Sequence, residues 1–515
     1  MNSLRSLVWV MLLGAITMGL LVAGSAQSVT PPAAGLLIRG GDIVDGTGAP
    51  ARRADVRTSG DAIVEIGADL QPKEGERVID ATGKVVAPGF IDIHTHVDRG
   101  IEEHLEAEDQ VRQGITTVVP GQCGGSLLPV SEFFGTLDRR HPAINVMTMV
   151  GHGTVRELVM GGDYKRPATS GEIELMKGLV DRAMQDGAVG LSSGLEYDPG
   201  FFAKPEELVA LASVVAKYGG FYASHVRNET DTVFDAWREA IDVGRKAHVP
   251  VEISHFKLAS KPVWGRAAEA VKLLEDAKRE GIQVMADWYP YQYWASSIYV
   301  LLNTRNFDSR KEWEVGLDVV GGPQNVLVTR YLPDKSLNGK TIAQIAEMQG
   351  KDAVTTIMDM IRAAGPGIGI MCTSMDESDM ARFFVHPQIL IGSDGSLGGS
   401  HPRSAGAFPR VLARYVREKK LLPLPEAIAK MTSRTAAQVG LPDRGVVAVG
   451  KKADLVVFDP ATVADRSTPL EPGLAPVGLP YVIVNGQVVL DDGKMTDARP
   501  GRAIRRQDWT PYPAR

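Results

Sequence analysis

The 515-residue sequence has few cysteines, little charge imbalance, and no internal repeat or low-complexity segment. Its two cysteines, Cys123 and Cys372, are too few for a disulfide framework, although two cysteines in an exported protein usually pair with each other. The net charge of −6, from 56 basic and 62 acidic residues, gives no electrostatic reason to expect nucleic acid or an anionic membrane as a partner.

Long apolar runs are also scarce, and the main one lies at the N-terminus. Residues 7–22 are nearly all apolar, Arg5 precedes them, and the small residues 23–26 follow. This run is short for a membrane span and has the arrangement of a secretory signal, with an uncleaved anchor as the alternative. We therefore expect residues 1–26 to be removed and the protein to be periplasmic or secreted, without stable membrane association after cleavage.

The remaining composition is that of a soluble globular protein rather than a fibrous or disordered chain. Apolar residues make up 44% and charged residues 23% of the sequence, and the length allows one large domain and a smaller one. The expected parts are residues 27–87 and 440–496 as two halves of a small β domain, 88–439 as a large domain with an insertion at about 291–375, and 497–515 as a tail that wraps the surface.

Strand-like runs alternate with helix-length amphipathic stretches between residues 88 and 439. This rhythm predicts repeated strand–helix units and a parallel sheet, most economically a barrel of eight strands. Residues 36–86 instead show short alternating runs broken by glycine pairs, which predict antiparallel strands, and residues 445–458 and 481–489 are expected to rejoin them. The barrel runs include 146–150, 189–192, 221–224, 251–254, 284–286 and 389–391.

A histidine pair follows the first of these barrel strands. The segment PGFIDIHTH places His94 and His96 two residues apart after the apolar run 90–93. Because strand side chains alternate, both imidazoles face one side, about 7 Å apart, and could bind one metal ion together. Two hydrogen-bonded histidines in a solvated loop are the alternative.

Four further residues with metal-binding or acid–base chemistry also end strand-like runs. Cys123, His225, His255 and Asp394 follow the runs 115–119, 221–224, 251–254 and 389–393. The carboxyl ends of parallel barrel strands converge on one face, where active sites are built. Any one of these residues has an ordinary structural explanation, and for Asp394 it is a helix N-cap, but core packing does not explain the whole set.

These motifs together resemble the amidohydrolase superfamily. PGFIDIHTH, the two later SH histidines, the GSD around Asp394 and the C-terminal GKKADLVVFD carry that resemblance. GITTVVPGQCG, GLSSGLEYDPG, SHVRNE, DWYPY and HPRSAGAFPRVL are similar to its N-acyl-D-amino-acid deacylase (D-aminoacylase) branch. The resemblance covers residues 36–489 and implies an α/β fold, a distorted (β/α)8 TIM-like barrel with a small β-sandwich domain formed from both chain ends.

The resemblance also implies zinc as the cofactor. Cys123, His225 and His255 would hold a tightly bound zinc ion, and His94 and His96 a second, weaker one. A thiolate with imidazoles is a donor set that suits zinc. As a zinc ligand Cys123 cannot form a disulfide, so we expect Cys372 to be an ordinary buried thiol.

Further site residues follow from the same resemblance. Asp394 would be the catalytic aspartate that accepts a proton and delivers it to the leaving amine. The α-carboxylate of the substrate requires cationic or hydroxyl donors at the mouth of the site. The candidate substrate-binding residues are Lys257, Tyr289, Arg403, Tyr197 and Arg227, with Ser296 or Ser297 as a further hydroxyl; Arg227 has a surface ion pair as its alternative role.

Glu196, next to Tyr197, departs from the pattern of the family. A carboxylate stands where a small or apolar residue is expected. It could be a metal ligand, a reader of a basic substrate side chain, or the partner of a nearby arginine.

The function that the resemblance implies is zinc-dependent hydrolysis of N-acyl-D-amino acids, which are small-molecule substrates, to a carboxylate and a free D-amino acid. Nothing in the residue types themselves reports chirality. The alternatives are another amidohydrolase specificity, such as a dipeptidase or cyclic amidase, and a non-catalytic binding barrel. Retention of all five metal-binding side chains argues against the last of these.

Overall fold

The computed structural model describes residues 35–302 and 304–506, and the expected signal peptide lies outside this part. None of the helices in the described residues is long and apolar enough to cross a bilayer. The strands are β1 Leu36–Ile43, β2 Arg52–Ser59, β3 Ala62–Gly67, β4 Arg77–Asp80, β5 Val85–Pro88, β6 Phe90–Asp92, β7 Ile115–Val118, β8 Asn145–Val146, β9 Val150–Gly151, β10 Gly190–Gly194, β11 Phe221–His225, β12 Val251–Ile253, β13 Val284–Trp288, β14 Tyr293–Ser297, β15 Val326–Arg330, β16 Gly369–Thr373, β17 Ile389–Ile391, β18 Leu455–Phe458, β19 Tyr481–Val484, β20 Gln487–Asp491 and β21 Lys494–Met495.

Helices follow most of the barrel strands and cover the outside of the barrel. The helices are α1 Glu108–Val111, α2 Val130–Arg140, α3 His152–Met160, α4 Ser170–Gln185, α5 Pro205–Lys217, α6 Val233–Ala247, α7 Ala267–Arg279, α8 Arg310–Val319, α9 Ile342–Gln349, α10 Ala353–Ala364, α11 Glu377–Val385, α12 Arg403–Arg410, α13 Leu424–Met431 and α14 Ser433–Val439. A π-helical stretch, Val411–Glu418, continues α12.

The small β domain joins the two ends of the chain in one nine-stranded sheet. Its order is β21-β20-β19-β18-β5-β1-β2-β3, and β4 pairs with β1 beside β5. Strand β5 from the N-terminal segment pairs antiparallel with β18 from the C-terminal one, which is the predicted discontinuous arrangement. The prediction of antiparallel pairing throughout residues 36–86 is wrong, because β4 and β5 both run parallel to β1.

The β domain has its own apolar core, which is why it forms a sandwich rather than an open sheet. An irregularity in β1 between Ile38 and Gly41 lets its first half pair with β4 and its second half with β5. As a result, side chains from the N-terminal and C-terminal strands of the sheet, among them Ile38, Val56 and Leu455, form one buried cluster. Because strand side chains alternate between the two faces of a sheet, one face of each layer of the sandwich supplies this core.

Eight strands form the predicted parallel barrel. One arc is β6-β7-β8, and the other is β9-β10-β11-β12-β13-β17, all parallel. Strands β8 and β9 are two pieces of one barrel strand, interrupted between Val146 and Val150. The arcs close through a parallel bridge between Thr95 and Gly395, at which the His96 amide donates to the Gly395 carbonyl at 2.7 Å.

The interior of the barrel is filled with apolar side chains up to the level of the site. Ile91, Val119, Met149, Phe221 and Leu390 are at most 2% exposed and belong to one cluster. This layer packs the lower barrel as a solid core, so polar chemistry is confined to the carboxyl ends of the strands.

Between β13 and β17 the chain forms a separate small layer. Strands β14, β16 and β15 make a three-stranded antiparallel sheet, with α8, α9 and α10 beside it. All of these elements lie within the predicted insertion at about 291–375, but the sequence analysis did not foresee the three strands. This layer overhangs the carboxyl face of the barrel and forms one wall of the cavity described below.

The sequence predicted that the tail would only wrap the surface. Its described part, up to residue 506, instead pairs with the barrel. The Val146 amide donates to the Arg502 carbonyl at 2.9 Å, and the Ile504 amide to the Val146 carbonyl at 2.8 Å, which places Ala503 beside β8 as an added parallel strand. Gly501 and Ala503 are buried there. The segment therefore completes the edge of β8 that β7 does not cover.

Candidate functional site

The six residues predicted from strand ends converge on the carboxyl face of the barrel. His94 and His96 follow β6, Cys123 follows β7, His225 ends β11, His255 follows β12 and Asp394 follows β17. They come together because parallel barrel strands all deliver their carboxyl ends to the same face.

A thiol surrounded by three imidazoles forms the centre of the site. The Cys123 sulfur lies 3.4 Å from His94 Nε2, 3.8 Å from His225 Nδ1 and 3.6 Å from His255 Nε2. His225 Nδ1 and His255 Nε2 are themselves 2.8 Å apart. Four soft or borderline donors aimed at one point make a set that zinc prefers, and three of them leave an open position on a tetrahedral ion.

A second set of possible ligands shares His94 with the first. Asp394 Oδ1 lies 3.5 Å from His94 Nε2 and 3.2 Å from His96 Nε2. Nδ1 of His96 is buried without a hydrogen-bond partner among the described residues. The other oxygen of Asp394, Oδ2, lies 2.8 Å from Nη1 of Arg403 in an ion pair. Asp394 is thus held between the histidine pair and one arginine.

Two carboxylates that the sequence analysis missed contact the imidazoles of His94 and His255. Each lies beside the ring nitrogen that faces away from Cys123. His94 Nδ1 lies 3.0 Å from Asp287, and His255 Nδ1 lies 2.9 Å from Glu229. A carboxylate on the outer nitrogen of a metal-binding histidine fixes its tautomer and orientation. Asp287 lies in β13 and Glu229 four residues after His225, so searching every strand end for carboxylates would have found both.

The electrostatics of the site favour a positive charge at its centre. Burial alone raises the pKa of the Cys123 thiol, but His94 and the hydrogen bonds from His225 and His255 hold it well below its ordinary value. Burial lowers the pKa of His225, whereas Glu229 and Cys123 raise it to about 10. Burial likewise raises the pKa of Asp394, and Arg403 with His94 brings it well below its usual range. A cation that replaces these protons would satisfy the same negative groups, so the residues fit a bound zinc ion.

A cavity of about 940 Å³ opens above the thiol and imidazole groups. Lys257, Tyr289, Arg403 and Tyr197 line it, as do Ser296 and Ser297 on β14. The structure therefore brings four of the five predicted substrate-binding residues to one cavity.

Three of these side chains form a group around one aromatic ring. The Arg403 guanidinium lies 4.7 Å and the Lys257 ammonium 5.8 Å from the centre of the Tyr289 ring. The Tyr289 hydroxyl and the Arg403 Nε are buried without hydrogen-bond partners among the described residues. Lys257 also donates to Glu229, which balances its charge.

Arg227 does not reach this cavity. Its guanidinium binds Glu239 at 2.7 Å and the carbonyl oxygens of Phe201 and Ala203, and it lines a separate surface depression of about 720 Å³. The ion pair foreseen as its alternative role is what the structure contains.

The two cysteines are both free thiols. Cys372 lies on β16 with 0% exposure, and burial raises its pKa well above the ordinary value. The disulfide that an exported protein with two cysteines would ordinarily form is therefore absent.

Comparison with known proteins agrees with this geometry. The amidohydrolase family model (Amidohydro_3) matches residues 77–298 and 322–490. N-acyl-D-glutamate deacylase of Alcaligenes xylosoxydans xylosoxydans is 38% identical over 495 residues, covering 92% of this chain and 96% of the relative.

Two solved structures of high similarity belong to metal-binding relatives. N-acyl-D-glutamate deacylase from Bordetella bronchiseptica, complexed with zinc and a phosphonate mimic of the tetrahedral intermediate, has a TM-score of 0.82 and 36% identity, covering 91% of this chain and 99% of its own. A D-aminoacylase structure described by its binuclear metal centre has a TM-score of 0.81 and 36% identity, covering 92% and 100%. With a family model matched over most of its length and relatives of this identity, the chain belongs to the amidohydrolase family.

Proposed function

We propose that this protein is a zinc-dependent hydrolase of N-acyl-D-amino acids that releases a carboxylate and a free D-amino acid. The cluster of Cys123 with three imidazoles at the base of a 940 Å³ cavity carries the proposal. The similarity to deacylases of N-acyl-D-glutamate and to D-aminoacylase supports the substrate class.

Cys123, His225 and His255 would hold the tightly bound zinc ion. His94 and His96, with the Asp394 carboxylate beside them, would hold a second and weaker ion. When bound, zinc supplies Lewis-acid polarisation of the amide carbonyl and makes a water molecule a better nucleophile. The side chains keep the cluster largely closed to solvent, since His94, His225 and His255 are at most 3% exposed.

Asp394 would act as the general base and then as the general acid of the reaction. Its low pKa keeps the carboxylate ionised at neutral pH and therefore ready to accept a proton from the attacking water. The same carboxyl group can then donate that proton to the amide nitrogen as the amine leaves. Arg403 holds Oδ2, which leaves Oδ1 as the oxygen that faces the histidines and carries the proton.

The α-carboxylate of the substrate would bind at the group around Tyr289. The Tyr289 hydroxyl and the Arg403 Nε are donors that have no partner among the residues the structure describes, and Lys257 adds positive charge beside them. A carboxylate there would satisfy buried donors that otherwise cost free energy. Tyr197, whose ring lies 4.4 Å from that of His225, borders the place where the scissile amide would lie.

A hydrolysis screen over paired D and L N-acyl amino acids, with zinc added, tests the proposal. We expect turnover of N-acetyl-D-amino acids and at most weak turnover of the L forms. Selective cleavage of L substrates, dipeptides or cyclic amides would instead assign the protein to another amidohydrolase specificity.

We also propose that the protein is exported and periplasmic or secreted. The support is the pattern of residues 1–26, with Arg5, an apolar run and small residues at the cleavage position. N-terminal sequencing of the mature protein, isolated from the cell fraction in which it accumulates, tests this; a mature chain that begins at residue 1 would contradict it.

A further inference from the structure

Glu196 lies at the wall of the cavity, beside the metal-binding cluster. Its carboxylate oxygen is 3.2 Å from Nε2 of His225, and its side chain is 12% exposed. The opposite nitrogen of the same ring, Nδ1, faces the Cys123 sulfur at 3.8 Å and His255 Nε2 at 2.8 Å. Glu196 therefore touches the ring of His225 from the side that faces away from the cluster.

This position argues against Glu196 as a direct metal ligand. A carboxylate ligand would have to approach the point at which Cys123, His225 and His255 would hold the ion, and the imidazole of His225 separates Glu196 from that point. Among the described residues, the groups of possible ligand atoms within 4.8 Å of one another contain His225 but not Glu196. The metal-facing and outer nitrogens of His225 have separate partners.

The nearby arginine does not neutralise Glu196 either. Arg305 donates to the backbone carbonyl of Glu196 and not to its carboxylate. Its guanidinium lies between the rings of Phe201 and Tyr299, at 4.9 and 4.7 Å from their centres. Arg305, which lies in the insertion, therefore fixes the backbone from which the Glu196 carboxylate reaches His225.

We propose that Glu196 is a positioning residue that accepts the Nε2 proton of His225 and so leaves the lone pair of Nδ1 facing the zinc ion. The inference rests on the proposed zinc function and concerns a residue that differs from what the family pattern led us to expect. A neutral imidazole carries one proton, and the hydrogen bond at one nitrogen decides which nitrogen is free to bind metal.

Glu196 acts on His225 as Asp287 acts on His94 and Glu229 on His255. The three carboxylates differ in their surroundings. Asp287 also accepts the amide of His255, and Glu229 also accepts from Lys257, so changing either disturbs several groups. Glu196 can be changed with less disturbance, because among the described residues its carboxylate has His225 as its one hydrogen-bond partner.

The test is the zinc affinity of the purified protein, measured by competition with a chromogenic chelator. Glu196→Ala should bind zinc about 10- to 100-fold more weakly, because the ring of His225 loses the partner that holds its tautomer. Glu196→Gln should stay close to wild type, since its carbonyl oxygen accepts the same proton. Glu157→Ala, which changes an exposed acid at the rim of the same cavity, should leave the affinity unchanged.

The outcomes separate this inference from the function on which it rests. Wild-type protein that binds no zinc overturns the proposed function itself. Wild-type zinc affinity in a folded Glu196→Ala variant overturns the positioning role. Equally weakened affinity in folded Ala and Gln variants would make Glu196 a ligand instead and also overturns it. Circular dichroism of each variant shows whether it is folded, and the Gln variant tests the role even if the Ala variant is not.

Discussion

Three residues of the site have left-handed backbone, which side chains other than glycine rarely adopt. Cys123, His255 and Asp394 have φ angles of 52°, 37° and 51°. Such conformations cost roughly 1–3 kcal/mol each and persist where neighbouring groups enforce them. The Asp394 amide donates to the His94 carbonyl at 2.7 Å, and the His255 amide to Asp287 at 2.9 Å. The backbone is bent at these points so that the side chains turn inward at the ends of their strands.

The two cysteines allow a matched test of the metal site. Cys123→Ala removes a proposed, negatively charged ligand from the cluster, so the protein should lose its tightly bound zinc and nearly all activity. Cys372→Ala removes a buried thiol that lies in the insertion, and this variant should keep both its zinc and its activity. Zinc content by atomic absorption and hydrolysis rate provide the comparison. Stoichiometric zinc in the Cys123 variant would remove this residue from the ligand set.

The role of Arg403 can be separated from its contact with Asp394 by changing the substrate. Arg403→Met should slow hydrolysis of a free acid and of its methyl ester alike through Asp394. It should slow the free acid by a further ten- to a hundredfold, because a charge-assisted hydrogen bond contributes about 1.5–3 kcal/mol. The measurement is kcat/KM for acid and ester in both enzymes. Equal losses would show that Arg403 only holds Asp394.

Lys430 is buried at 1% exposure, with its ammonium donating to the His386 carbonyl. Burial, with a contribution from Arg434, lowers its pKa to about 7 from a reference value of 10.5. Between pH 7 and 10.5 the unfolded chain binds this proton and the folded chain does not, so stability from this group rises with pH. Below pH 7 the full cost of burying the charge remains.

Lys430→Met should therefore raise the unfolding midpoint most at pH 6 and progressively less toward pH 10. Thermal melts at several pH values measure the trend. Lys272→Met, which changes a side chain that is 64% exposed, is the control and should give a small difference without this pH trend. A stabilisation by Lys430→Met that is the same at pH 6 and pH 10 would mean that the charge of Lys430 is not its cause.

At the scale of elements, two helical glycines illustrate how tightly the helices pack on the barrel. A Cβ at Gly244 in α6 would lie 2.1 Å from Val251 Cγ2, because the helix packs directly on β12. A Cβ at Gly178 in α4 meets no atom within 4 Å. Glycine in a helix generally costs stability relative to alanine, so only the packing distinguishes the two positions.

Alanine should therefore have opposite effects at the two glycines. Gly178→Ala should stabilise the protein by about 0.5–1 kcal/mol through helix propensity. Gly244→Ala should destabilise it by roughly 1–3 kcal/mol, since the added methyl group forces α6 away from β12. Denaturant unfolding of both variants measures the difference, and a stabilising Gly244→Ala would show that α6 can shift without loss.

Most of the barrel and the site were predictable because their signals are local in sequence. His94, Cys123 and Asp394 each directly follow an apolar strand-like run, and parallel topology then places them together. The parallel pairing of β4 and β5 with β1 and the three strands of the insertion were not predictable in this way. Short strands of similar composition pair in either direction, and the choice depends on tertiary packing.

At the scale of the whole molecule, one buried polar network joins the barrel, the β domain and the segment after β21. Asn485 donates to Asn145 beside β7 and to the Pro500 carbonyl, both at 2.8 Å. Asp454 accepts from Asn145 at 3.1 Å and from the Asn485 amide at 2.6 Å. The bonds from Asn145 to Asn485 and to Asp454 connect residues more than 300 positions apart in sequence, so the two domains are stabilised together.

Removal of the residues after 498 should destabilise the whole protein. The truncated chain loses the backbone bonds to Val146 and leaves one edge of β8 unpaired. We expect a clear fall in the unfolding midpoint and greater proteolysis. Arg502→Ala, which removes an exposed ion pair with Asp61 but keeps the backbone bonds, should change the midpoint little. A truncated chain with the wild-type midpoint would show that this strand is dispensable.

The added strand beside β8 has a consequence for biosynthesis. Residues 501–506 leave the ribosome after every other described part of the barrel, so the edge of β8 stays open until these residues have been synthesised. Domains whose residues have all been synthesised can fold while the rest of the chain is still being made. This barrel can complete its edge only after residues 501–506 have been synthesised. A chain that terminates before residue 501 is consequently left with an exposed strand edge, which can pair with other chains.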